Sequence, residues 1–146
     1  MLFRSDGSPE APSGEPYWEI SGQLLTRAGA VSGPRALFAL DTGARRSLVS
    51  LGYAADVPGA VLGRAAGVLA HGGSLTSARS LRGMRLGFQG AEVPAEVATD
   101  LALQGRLSGV EVSGFLGLDL LSSARLVVDT RSRRVLLDTR FRRSNR

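Results

Sequence analysis

Asp41-Thr42-Gly43 is the segment of this chain best suited to chemistry. The five residues before it, Ala36-Leu37-Phe38-Ala39-Leu40, form an apolar run that stops abruptly at the aspartate. A buried strand is therefore predicted to deliver a carboxylate into a tight glycine turn. Gly43 has no Cβ to crowd that turn, so backbone can lie close beside the acid. Few other residues compete for a chemical role. The 146 residues include no cysteine, which removes thiol proteases, thioredoxin-type redox chemistry, cysteine zinc sites and iron–sulfur clusters. All 18 basic residues are arginine, so a Walker P-loop and a Schiff-base lysine are excluded. His71 is the single histidine. It cannot build a multi-histidine metal site, and no Gly-x-Ser-x-Gly context supports a Ser-His-Asp triad.

The elements that must position Asp41 are mostly short strands. Trp18, Ile20, Leu24 and Leu25 interleave with polar residues and predict a first strand from Tyr17, with Trp18 as a packing anchor. Arg27 to Arg35 reads as a loop with turn chemistry at Gly29, Gly33 and Pro34. Strand character resumes at Ser47 to Leu51, and residues 53–60 hold one helical turn stopped by Pro58 and Gly59. Val61 to Ala70 and Ser74 to Leu81 flank His71-Gly72-Gly73, a composition suited to a hairpin tip. Met84 to Phe88 and Ala91 to Val97 form a second hairpin across Gln89-Gly90. Residues 99–113 read as a surface loop. Phe115-Leu116-Gly117-Leu118-Asp119-Leu120-Leu121 is an apolar strand followed by a short helix through about Ala124, with Asp119 as its N-cap. Two last strands, Leu126 to Asp129 and Val135 to Asp138, join across Thr130 to Arg133. The predicted class is all-β with a closed, barrel-like core.

Together these segments resemble the retropepsin-like aspartic proteases, over roughly residues 17 to 138. The likeness rests on Asp41-Thr42-Gly43-Ala44 with Ser47, and on the downstream Gly114-Phe115-Leu116-Gly117-Leu118-Asp119-Leu120-Leu121. It is closest to the single-domain bacterial and Ddi-type members. The resemblance implies a closed β-barrel with a flap hairpin and one short helix, and an aspartic endopeptidase. In that chemistry one carboxylate takes a proton from water while a second, protonated carboxyl hydrogen-bonds the scissile carbonyl. It makes Asp41 catalytic and gives Thr42, Gly43, Ala44 and Ser47 the support of the loop. His71, Gly72 and Gly73 become the flap, and Phe115, Leu116 and Gly117 pack beside the loop. In the family the residue matching Thr42 hydrogen-bonds across a subunit boundary. One Asp-Thr-Gly per chain implies a homodimer with Asp41 from each subunit, peptide or protein as substrate, and neither metal nor cofactor. Arg45 and Arg46 stand where family members usually carry a small or acidic residue.

Composition bounds the rest. With 43% hydrophobic and 21% charged residues, the chain fits one globular domain that needs no disulfide. Residues 1–16, with three prolines and two glycines, read as a flexible N-terminal tail, 17–139 as the protease domain and 140–146 as a basic C-terminal tail. The net charge of +5 permits attraction to anionic partners, but seven arginines crowd residues 131–146 and read as a solvated end, so no nucleic acid is expected. No apolar run long enough for a membrane span is present, and a cytoplasmic protein is expected. The competing reading from another class is a non-catalytic retropepsin-like dimerisation or peptide-binding module.

Overall fold

The computed structural model describes residues 13–71, 74–98, 109–138 and 140. Most of them lie in ten strands: β1 Glu15–Ile20, β2 Gln23–Ala30, β3 Arg35–Leu40, β4 Leu48–Ser50, β5 Val61–His71, β6 Ser74–Phe88, β7 Ala91–Ala98, β8 Gly114–Leu116, β9 Arg125–Asp129 and β10 Arg134–Asp138. Two short helices, α1 Leu51–Ala55 and α2 Leu118–Leu121, follow β4 and β8. The all-β expectation therefore holds, and both short helices among the described residues fall near the two segments where the sequence predicts helical turns. None of the described helices is long and apolar enough to cross a membrane.

The strands run in the order β5-β6-β7-β4-β8-β3-β2-β1-β10-β9, and β6 also pairs with β2. That extra contact consists of Gly29 opposite Gly87 and Ala30 opposite Leu86. Most neighbours are antiparallel. The exceptions are β3 with β8, where Ala39 faces Phe115 and Leu40 faces Leu116, and β4 with β7. Strand β8 thus lies between β3 and β4, the strands on either side of the Asp41 loop. Phe38, Val49, Leu86, Val97, Leu116, Leu120 and Val135 are fully buried in the main core.

Several predicted boundaries shift for identifiable reasons. The single strand from Tyr17 is two strands, broken at Ser21-Gly22, which both take positive φ (52° and 77°). A two-residue turn of that kind suits the twist of a tight hairpin. The first four residues of the loop predicted from Arg27 are the second half of β2, Arg35 already belongs to β3, and only residues 31–34 turn. Ala28, Gly29 and Ala30 are buried there, and a Cβ on Gly29 would collide with the Pro34 carbonyl. The small residues that read as a loop are what the close approach requires. Strand β1 begins at Glu15, because Glu15 and Pro16 pair with Val135 and Arg134 of β10. Residues 1–12 of the expected tail lie outside the described residues, as do 99–108 of the expected surface loop and 141–146.

Helix α1 starts earlier than predicted, since Ser50 Oγ caps it by accepting from the Tyr53 N–H at 3.1 Å. Strand β6 runs unbroken through both predicted hairpins, its register shifting between Ser80 and Arg85, where Gly83 takes φ 76°. The Gln89-Gly90 turn is as predicted, with φ of 47° and 83°. Trp18 is not a buried anchor. It is 38% exposed, with the Arg27 guanidinium 5.7 Å from its ring centroid, while its neighbour Tyr17 faces the core.

Candidate active site

Asp41 is the first residue after β3, and its backbone continues the β3–β8 ladder by donating its N–H to the Leu116 carbonyl at 3.0 Å. Its carboxylate then folds back over its own turn. Oδ1 accepts from the Gly43 N–H at 2.9 Å and from the Ala44 N–H at 3.1 Å. A Cβ on Gly43 would press on that oxygen at 3.2 Å, so the glycine keeps the acid seated in its loop. Asp41 is half-buried, whereas Thr42 and Gly43 are exposed.

The far limb of the loop is tied to the segment after β8. The Leu118 N–H donates to the Ala44 carbonyl at 2.8 Å and the Asp119 N–H to the Arg45 carbonyl at 3.2 Å. A Cβ on Gly117 would lie 2.6 Å from the Arg46 carbonyl, so only glycine lets the two segments touch there. Ser47, fully buried, stands at the centre. Its Oγ accepts from the Gly117 N–H at 2.9 Å and donates to Asp119 Oδ1 at 2.6 Å. The Ser47 N–H donates to Asp119 Oδ2 at 3.0 Å. The predicted residues Asp41, Gly43, Ala44, Ser47, Phe115, Leu116 and Gly117 therefore converge on one site.

Asp119 is a correction. Gly117, not Asp119, occupies the N-cap of α2, which ends at Leu121 rather than near Ala124. Asp119 lies inside the first turn, where its carboxylate accepts from Leu120 N–H at 2.9 Å as well as from both Ser47 donors. It is a brace between helix and loop, and its spacing from Gly117 was the only sequence signal. Arg46 was also missed as a structural group. Its guanidinium pairs with Glu96 on β7, a contact that strand alternation alone could not announce.

The predicted hairpin tip is placed only in part. His71 ends β5 opposite Ser74 of β6, and Gly72 and Gly73 lie outside the described residues. No group of three His, Cys, Asp or Glu residues able to hold a metal ion occurs among the described residues. No protein-family model matches the chain, and no curated protein matches it.

A carboxylate held at a loop by two backbone N–H donors can orient and activate water as a general base. Splitting an amide also requires an acid at the carbonyl. Asp119 is committed to Ser47 and Leu120.

Proposed function

We propose that the chain is a retropepsin-like aspartic endopeptidase, its ring of paired strands β2, β3, β8, β4, β7 and β6 a closed barrel, acting as a homodimer. Asp41 of each subunit supplies one of the two carboxyls. One takes a proton from the attacking water and the other, protonated, hydrogen-bonds the scissile carbonyl. Thr42 bridges the two loops, and the β5–β6 hairpin closes over the peptide. The observation that carries this reading is the Asp41 loop itself: an aspartate seated by Gly43 and Ala44 N–H groups at the end of a strand backed by β8.

The test is peptide hydrolysis by wild type and Asp41→Asn. The substitution is expected to abolish turnover, by at least about a thousandfold where both general acid and general base are disabled, while the circular dichroism spectrum stays unchanged. Undiminished cleavage by a purified variant refutes the assignment. Peptide binding without cleavage by wild type at any pH between 3 and 8 favours the non-catalytic module.

A further inference from the structure

We infer that Arg46, through its ion pair with Glu96 of β7, is a positioning residue that holds the Asp41 loop in place against the sheet. The inference rests on the proposed protease activity and adds a residue to that same site. The backbone of the loop is tied to β8 and α2, where Asp41 bonds to Leu116, Ala44 to Leu118 and Arg45 to Asp119. On the opposite side, toward β7, strand pairing starts later. The β4–β7 ladder begins with Leu48 opposite Glu96, beyond the end of the loop. The Arg46 side chain reaches back across that gap, with Nη1 donating to Glu96 Oε1 over a sequence separation of 50 residues.

The burial of Glu96 is what makes this tie specific. Its side chain is 10% exposed while that of Arg46 is 62% exposed. It stands opposite Leu48 and, by strand alternation, on the same face as Ala98, and both belong to the apolar cluster with Ala39, Val112 and Phe115. A carboxylate beside such a cluster has little water around it and needs a partner. Among the described residues that partner is Arg46, so the guanidinium is drawn to one place although most of its side chain faces solvent. By contrast, Arg85 and Glu92 pair at 3.4 Å with both side chains about half exposed. From Arg46 the chain runs back through Arg45 to Ala44, whose N–H helps to seat Asp41 Oδ1. Glu96 also stands opposite Ser80 of β6, the strand that runs back to the hairpin proposed to close over the peptide. The pair thus joins the acid's loop to the strands that carry the hairpin. Misplacing a reacting group by about 1 Å costs on the order of a hundredfold in rate, so a slack loop is felt in turnover.

The experiment compares the full wild-type chain with Arg46→Met, with Arg46→Lys and with Arg46→Met combined with Glu96→Met. Arg46→Met alone leaves a buried carboxylate unpaired and is expected to lower Tm. The double variant removes both charges and is expected to melt close to wild type, so it separates positioning from stability. In that variant, amide hydrogen exchange at Gly43 and Ala44, the two donors to Asp41, should quicken by at least about fivefold while amides of the β2–β3 ladder keep their protection. For peptide hydrolysis, kcat should fall about tenfold with KM changed less than about twofold, the pattern of a displaced acid rather than of lost peptide binding. Arg46→Lys keeps the charge but not the planar fork, and should recover most of both readouts. Unchanged exchange at Gly43 and Ala44 in the double variant overturns the inference, as does an unchanged kcat. Exchange is read without substrate, so it decides the role of Arg46 even if wild type cleaves no peptide. Quickened exchange together with an inactive wild type refutes the protease reading and leaves the loop tie standing.

Discussion

At the scale of single residues the site is organised by one buried hydroxyl. Ser47 Oγ has a donor on one side and an acceptor on the other, and both Asp119 oxygens are used by Ser47. A carboxylate can accept at both oxygens, whereas an asparagine presents an amide donor at one of them. Asp119→Asn must therefore set its amide donor either against the Ser47 N–H or, turned the other way, against the Leu120 N–H, leaving the Ser47 hydroxyl proton without its acceptor. We expect Asp119→Asn to destabilise the fold by about 1–2 kcal/mol and Asp119→Ala by about 2–3 kcal/mol. Because the two residues share one network, Ser47→Ala and Asp119→Ala should be non-additive by at least about 1 kcal/mol in a urea-denaturation cycle. Additive losses would mean that each side chain acts alone. Asp41 was legible in the sequence because an apolar run ending at Asp-Thr-Gly is a local signal. The Asp119 brace was not, since it forms only when two segments 72 residues apart in sequence touch.

Among the elements, the turn from β2 to β3 is held by a residue that belongs to neither. Tyr53 of α1 accepts from the Ala30 N–H at 2.6 Å and donates to the Pro34 carbonyl at 2.6 Å, and its ring meets Phe38 edge-on at 5.3 Å. Burial raises the Tyr53 pKa above its ordinary 10.0, against an opposing hydrogen bond from Ala30. The neutral phenol is thus the form the fold holds, and its stabilisation is complete below pH 10 and lost as pH rises through the folded-state value. Tyr53→Phe keeps the packing and strands both backbone partners. It should cost about 1–3 kcal/mol, which for a chain of this size lowers Tm by several degrees. A change under about 0.5 kcal/mol would show that the phenol is not the tie. The same turn shows why sequence reading misplaced β2. Its buried end, Ala28-Gly29-Ala30, lacks the branched side chains that announce a strand, and its pairing partner Gly87 lies far along the chain. Gln89-Gly90 and the β9–β10 connection, in contrast, were readable because two-residue and four-residue turns carry their own chemistry.

For the whole molecule, association and acid stability can be tested independently of any substrate preference. If each chain supplies half of the catalytic pair, activity per chain should fall on dilution below the dimer dissociation constant, and sedimentation should report the same midpoint. Constant activity per chain through complete dissociation to monomers would contradict the shared site. Acid stability depends on the strand that pairs with β1. Asp138 closes β10 with its carboxyl buried, and side-chain hydrogen bonds from Arg140 at 2.9 and 2.8 Å lower its pKa to about 2. The unfolded chain binds that proton near the ordinary value of 3.8. Between the two values the unfolded state carries more protons than the folded one, so stability falls as pH drops through this window. Asp129, also lowered, by Ser132 Oγ and then its N–H, acts in the same direction at the other end of the β9–β10 hairpin. Arg140 is largely exposed, so solvent and salt screen its contribution. Arg140→Ala should accordingly leave the protein less stable at pH 6, and by a smaller margin as pH approaches 2, where the wild-type carboxyl is itself protonated. Thermal unfolding of both proteins across pH 2–6 at low salt measures this convergence. Parallel curves with a constant offset would place the role of Arg140 in packing rather than in the charge on Asp138.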